Sequence, residues 1–222
     1  MSHTKKSKLK LYRHYKNKTY KYLGEARHSE TLDELVVYET RHQNELGSLW
    51  VRPKHMFFEK IEFNGKAQPR FEQVEFRIET AEQLSNQNKK DITKLLGLVF
   101  GKYDRENLDS KLKGKSRVLL ISAFDDQRFV GFKLGYQLNP KTFYSWLGAV
   151  APEYRGIGLG GELMAQQHAW CRENQYEVIQ TKTMNKWKDM LLLNIQKGFE
   201  ITGTEVPDGG DLKILMEKSL RQ

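Results

Sequence analysis

Four glycines fall within six positions, at 156, 158, 160 and 161, between the run Val150-Ala151-Pro152-Glu153-Tyr154-Arg155 and an apolar-periodic segment. Glycines at this density let the main chain turn its N–H groups toward a ligand with no Cβ in the way. The start of the following helix adds the positive end of its dipole. That chemistry suits a pyrophosphate. Two patterns are met at once: Arg155-x-x-Gly158-x-Gly160, and the dinucleotide signature G-x-G-x-x-G through Gly156, Gly158 and Gly161. Context separates them. In a dinucleotide fold the first glycine follows its strand directly, early in the domain, and an acidic residue closes the next strand about 20 residues on. Here residues 151–155, a proline among them, intervene, the loop lies late in the chain, and Glu177 opens the next expected strand instead of closing it.

A second stretch with chemical content is Leu193-Asn194-Ile195-Gln196-Lys197-Gly198-Phe199, preceded by Thr181-Lys182-Thr183-Met184-Asn185. Trp187, Met190, Leu191 and Asn194 share one helical stripe, which places an amide on an apolar face. Such an amide must find partners in the backbone or in a ligand. Asn194 can hydrogen-bond but cannot pass a proton near neutral pH. Asn185, at the head of the same expected helix, reads as its N-cap. The single cysteine, Cys171, rules out an internal disulfide and a cysteine-built zinc site. Beside Trp170 in mid-helix it reads as a buried structural thiol, and His168 is expected at the surface. His14, His28, His42 and His55 include no i,i+2 or i,i+4 pair, so no metal site is expected.

The elements that must position these residues follow from periodicity. Residues 1–10 read as a disordered basic lead-in. Short strands are expected at residues 19–23, 34–39, 48–52 and 57–63, the last running into Asn64-Gly65, a strong hairpin signal. A new unit begins near residue 73 with an alternating strand at 74–78 and a helical stripe over 81–100. Residues 101–115 are polar, a second helix or a substrate loop. Strands at 118–124 and 129–138 are joined by Asp125-Asp126-Gln127, and a strand at 143–150 leads into the glycines. A helix, a strand at 176–182, a helix at 185–197 ended by Gly198, and a hairpin of 199–205 with 212–218 complete the chain. The order from residue 74 is β-α-β-β-β-α-β-α-β-β.

With 222 residues, 38% hydrophobic and 29% charged, the chain can bury a real core. No apolar run approaches the ~18 residues of a membrane span, and the polar N-terminus lacks an export signal, so a cytoplasmic protein is expected. The net charge of +9 is uneven: residues 1–72 hold 15 Lys and Arg against 9 Asp and Glu. A basic, aromatic-bearing third (Tyr20, Tyr22, Trp50, Arg52, Phe58) allows nucleic-acid binding, although a solvated face and a small aromatic core are the favoured readings.

The strand ending in Val-x-Pro-x-Tyr before Arg155-x-x-Gly158-x-Gly160 resembles the coenzyme A loop of the GNAT acetyltransferases, and the element order over residues 73–222 matches that family's layout. Residues 11–72, with Tyr12-Arg13-His14-Tyr15-Lys16, Ala26-Arg27-His28-Ser29-Glu30-Thr31, Leu35-Val36-Val37-Tyr38, Leu49-Trp50-Val51-Arg52-Pro53 and Pro69-Arg70-Phe71, resemble a short bacterial domain family of unknown function. The resemblance implies an α+β chain: a small β-rich domain at 1–72, then a GNAT fold at 73–222 with a mixed, mostly antiparallel sheet and flanking helices. It implies acetyl-coenzyme A as cofactor and a small-molecule or protein amine as acceptor, acetylated by direct attack in a ternary complex. Gly148, Ala149, Val150, Arg155, Gly156, Ile157, Gly158, Leu159, Gly160, Gly161, Asn185 and Asn194 are the expected cofactor residues. The family commonly carries a tyrosine four residues before Gly198, proposed to protonate the departing thiolate; here that place holds Asn194, so the role does not carry over. No catalytic base is assigned, and the acceptor and oligomeric state are unassigned as well. The alternative is a non-catalytic coenzyme A-binding adapter whose basic N-terminal domain binds nucleic acid or a protein.

Overall fold

The computed structural model describes residues 9–42, 45–101 and 103–221. Eight residues of the lead-in expected at 1–10 lie outside that set. Leu9 and Lys10, however, are built into the fold: Leu9 is buried, its carbonyl accepts from Gln73 Nε2, and the Lys10 carbonyl accepts from Tyr22 N–H. The chain divides into two compact units, residues 1–76 with 153–158, and residues 77–152 with 159–222.

The first unit is a five-stranded sheet in the order β4-β3-β2-β1-β7, formed by β1 (Leu11–His14), β2 (Thr19–Arg27), β3 (Glu34–Thr40), β4 (Leu49–Pro53) and β7 (Phe71–Gln73). All four pairings are antiparallel. A separate hairpin, β5 (Lys60–Phe63) and β6 (Lys66–Pro69), turns at Asn64 (φ 52°) and Gly65 (φ 71°), as the Asn-Gly pair predicts. The strand expected over 57–63 is only half correct. Residues Lys54–Phe58 instead form a helical turn, α1, after Pro53. Phe57 from that turn is fully buried and stacks on Phe71 with centroids 4.2 Å apart. The burial it gains there outweighs the strand preference of two adjacent phenylalanines. Val36, Tyr38, Phe57 and Phe71 form the core, with Tyr12, Tyr20, Tyr22 and Trp50 packed against it.

The second unit is built on a seven-stranded sheet ordered β13-β14-β12-β11-β10-β9-β8. Its elements run β8 (Phe76–Ala81), α2 (Asn86–Phe100), α3 (Arg105–Leu112), β9 (Ser116–Asp125), β10 (Arg128–Asn139), β11 (Thr142–Val150), α4 (Leu159–Glu173), β12 (Val178–Thr183), α5 (Lys188–Gln196), β13 (Glu200–Glu205) and β14 (Lys213–Ser219). The expected order therefore holds, with the polar stretch after residue 101 forming a helix. α2 starts five residues late because Ser85 and Asn88 form a reciprocal capping box. Central strands β9 and β10 are buried almost continuously, since α4 packs across β9, β10 and β11, and α2 across β10 and β11. Pairing is antiparallel for β9–β10, β10–β11, β12–β14 and β13–β14, and parallel for β11–β12.

Two sequence expectations are corrected in this unit. α5 begins at Lys188, so Asn185 is not its N-cap; Asn185 lies in an exposed turn and Trp187 takes the cap position with no side-chain bond. The helix starts late because Trp187 is held edge-to-face against Phe100, 4.9 Å between centroids. His168 is not a surface residue: it is 4% exposed, its ring against Phe199 at 5.5 Å. α4 is covered well beyond a single stripe, and Gln167 and His168 are buried with it. Cys171 is buried as expected, and burial pushes its thiol up to about 12.

Candidate functional site

The site grows from the way β11 is partnered. On one side it pairs with β10 along its whole length, from Gly131 opposite Val150 to Asn139 opposite Thr142. On the other it pairs with β12 only over residues 142–144 against 178–180. Past that point the two parallel strands part. Thr181 Oγ1 donates to the Ser145 carbonyl at 2.8 Å at the mouth of the split, just past the last β11–β12 pair, Tyr144 opposite Gln180. Ala151 N–H donates to the Val130 carbonyl at 2.9 Å. Strand alternation then points the N–H groups of Gly148 and Val150 away from β10, into the split.

At the end of β11 a 3₁₀ turn, Pro152–Tyr154, leads into the glycines. Gly156 (φ 71°) and Gly158 (φ 97°) take the left-handed backbone that L side chains avoid, which exposes this segment's amides just ahead of α4. Arg155, Gly156 and Gly158 are exposed, whereas Ile157 and Leu159 bury their side chains and can offer only main chain. Gly160 and Gly161 serve packing in the first turn of α4. A Cβ on Gly160 would meet Leu193 Cδ2 at 3.4 Å, and one on Gly161 would meet Lys197 Cε at 3.1 Å and Nζ at 3.3 Å. Lys197 thus brings an ammonium to the positive end of a helix, an arrangement that an anion would relieve. Glycine turn, helix start and lysine together suit a diphosphate.

Lys133 is the other residue that sequence reasoning passed over. It stands on β10 opposite Gly148, and its Cδ lies 2.8 Å from where a Gly148 Cβ would be, so the stem crosses the strand at the glycine. It is 7% exposed, makes no ion pair among the described residues, and burial alone lowers its pKa to about 8. A lysine inside the apolar run Phe129-Val130-Gly131-Phe132-Lys133-Leu134 was the available signal. Lys197 carried no comparable one.

The structure does not gather every expected residue at the loop. Gly148, Ala149 and Val150 close β11 and residues 155–161 run from the turn after it into α4, whereas Asn185 lies in the exposed turn before α5. Asn194 is 1% exposed, and its Nδ2 donates to Met216 Sδ on β14 at 3.6 Å, a weak acceptor. Its Oδ1 has no partner among the described residues. Among those residues no group of three or more His, Cys, Asp or Glu could hold a metal ion, and no helix is long and apolar enough to cross a membrane.

A seven-stranded, mostly antiparallel sheet with one parallel pair that opens beside a glycine turn and a helix N-terminus is the GNAT-type acyltransferase fold. The sequence profile of the Acetyltransferase (GNAT) family matches residues 89–187, and that of a protein of unknown function, DUF1653, matches residues 10–73. The chain carries a GNAT-family domain preceded by a DUF1653 domain. Among solved structures it is similar to the ribosomal-protein-S18-alanine N-acetyltransferase of Escherichia coli, with 14% identity and a TM-score of 0.56 over 66% of this chain and 96% of that one. It is also similar to an aminoglycoside 6'-N-acetyltransferase complexed with coenzyme A (14%, TM-score 0.55, 66% and 98%). A GNAT acetyltransferase of Elizabethkingia anophelis with acetyl-CoA bound is a third (20%, TM-score 0.50, 65% and 97%). At these identities the likeness is one of fold. No curated protein matches the chain.

Proposed function

We propose that the chain is an N-acetyltransferase that uses acetyl-coenzyme A and acetylates a primary amine, with residues 73–222 carrying the activity and residues 1–72 forming a separate small domain. The observation that carries this reading is the β11–β12 split ending in the Gly156–Gly158 turn at the start of α4. The family profile and the cofactor-bound neighbours support it.

The cofactor supplies an activated acetyl group: as the amine nitrogen attacks, a C–N bond forms, the C–S bond breaks, and the proton lost by the amine ends on the thiol. The amides of residues 155–161 hold the diphosphate, helped by Lys197 and the α4 dipole. A backbone N–H of β11 near Gly148 receives the carbonyl oxygen as it gains charge, the kind of interaction that is usually the largest in lowering such a barrier. Lys133, with its pKa near 8, adds an ionisable group against Gly148. Asn194 orients and does not transfer protons. The test is a screen of amine acceptors reading free thiol release from acetyl-coenzyme A, on the full chain. Thiol release that depends on an amine supports transfer. Coenzyme A binding with no release under any amine would favour the adapter reading, in keeping with a buried amide where the family carries a tyrosine.

A further inference from the structure

We propose that the N-terminal β unit holds a binding site for a nucleoside phosphate, a base-plus-phosphate ligand, in a cavity on the sheet face that α1 leaves uncovered. Register places Tyr20 opposite Thr40, and Tyr38 opposite Trp50, with Arg52 next along β4. Phe57 and Phe71 fill one end of this face. The other end is a cavity of about 300 Å³, lined by Tyr20, Tyr38, Trp50 and Thr40 and by Lys18, Arg52 and His42. That volume is at the lower end of small-molecule sites, room for one nucleotide.

Four features of the lining specify the ligand. Its charges are cationic, with no carboxylate among the lining residues, and burial together with Arg52, Arg70, Lys16 and Lys18 pushes nearby His14 down to about 4. Thr40 is 7% exposed, yet its Oγ1 has no hydrogen-bond partner among the described residues. His42 Nδ1 and Arg52 Nε, in the same lining, are buried with no hydrogen-bond partner among the described residues. Buried polar groups are rarely left so, because each costs desolvation that a partner would return. Trp50, half-buried, spends its N–H on the Gly47 carbonyl at 3.0 Å, pairs with no aromatic ring among the described residues, and lines the cavity with its indole. Tyr20, by contrast, is engaged edge-on by Tyr38, His42 and Phe71.

A flat ring on Trp50, an anionic group at Lys18 and Arg52, and edge atoms to pair with Thr40 and His42 are what a nucleoside phosphate offers. A phenyl phosphate lacks the edge atoms. A second depression of the unit, about 620 Å³ and lined by Asp33, Glu34, Lys54 and Phe58 among others, needs no such ligand. There Lys54 already pairs with Glu25 at 2.8 Å and Glu34 at 3.4 Å.

The ligand's source, a free mononucleotide or the end of a single strand, is decided by the test. The full chain, saturated with coenzyme A to fill any nucleotide-accepting part of the acetyl-transfer site, is titrated calorimetrically with AMP, GMP, CMP and UMP. Parallel titrations use the four nucleosides, phenyl phosphate, inorganic phosphate and a single-stranded decanucleotide. At least one mononucleotide binds, and its nucleoside and phenyl phosphate bind at least about tenfold more weakly. Trp50→Ala weakens binding roughly tenfold or more, Trp50→Phe retains it, and Arg52→Gln weakens it and lowers its salt dependence. Binding of the decanucleotide in competition with the mononucleotide assigns the site to a strand end; mononucleotide binding alone assigns it to the free ligand. The proposal is overturned if no mononucleotide or decanucleotide binds the parent. It is equally overturned if binding is unaltered in both Arg52→Gln and Trp50→Ala, or in Arg52→Gln alone should Trp50→Ala fail to fold.

Discussion

Replacing Lys133 by methionine should stabilise the protein while impairing it. The ammonium is buried on β10 without a counter-ion among the described residues, and its pKa falls from 10.5 to about 8. At 1.36 kcal/mol per unit, the charged form costs the fold about 3 kcal/mol. Because the folded value lies below the unfolded one, this cost is present in full below pH 8. It is recovered as pH rises from 8 toward 10.5, where the unfolded chain still holds the proton that the folded chain has released. Lys133→Met removes the ammonium and keeps an apolar stem of similar length over Gly148. The variant should therefore be more stable than the parent by about 3 kcal/mol at pH 7, and by about half that at pH 9.5. Urea unfolding of both proteins from pH 7 to 9.5, followed by near-ultraviolet circular dichroism, reads the difference, in which every other titrating group cancels. Acetyl transfer by the variant should fall, because a group retained at such a cost is retained for function. A variant less stable than the parent at pH 7, or a difference that does not narrow with pH, would refute the buried, unpaired ammonium.

Three further outcomes follow from the same geometry. Gly158→Asp places a side chain at φ 97° and a negative charge beside the expected phosphate oxygens, so coenzyme A affinity by calorimetry should drop tenfold or more; equal affinity would remove the loop from the site. Gly135→Ala would bring a Cβ to 2.4 Å from Phe143 Cε1 and 2.5 Å from the Tyr144 carbonyl, a cost of about 1–3 kcal/mol or more, seen as a lower urea midpoint. Burial, with Lys218, Lys133, Arg172 and Lys197 around it, pushes His168 down to about 3, below its unfolded 6.5. The folded chain should then lose stability as pH falls from 6.5 toward 3, and His168→Leu, read against the parent in acid titrations, should lose less.

Local signals settled much of this molecule before any tertiary contact was considered. The alternation of the strand at 74–78, the apolar runs of β9 to β11, the stripes of α2 and α4, the Asn64-Gly65 hairpin and the glycine cluster at 156–161 are each carried by near neighbours in sequence. Periodicity and backbone stereochemistry report such features directly. The order of elements after residue 74, and with it the fold, follows from these local features. What the sequence could not reveal depends on residues far apart in the chain. Phe57 belongs to a helical turn because Phe71 awaits it, and His168 is buried because Phe199, some thirty positions on, covers it. Lys133 and Lys197 become candidates only once the fold sets one across from Gly148 and the other beside Gly161. Asn194 shows the same division. Its position in the stripe predicted an amide in an apolar setting, but only packing decided that Nδ2 meets Met216 and that Oδ1 is left without a partner among the described residues. Local sequence sets backbone conformation over a few residues, whereas burial, charge partnering and the opening between β11 and β12 are properties of surfaces brought together from distant segments, and only the folded chain fixes them.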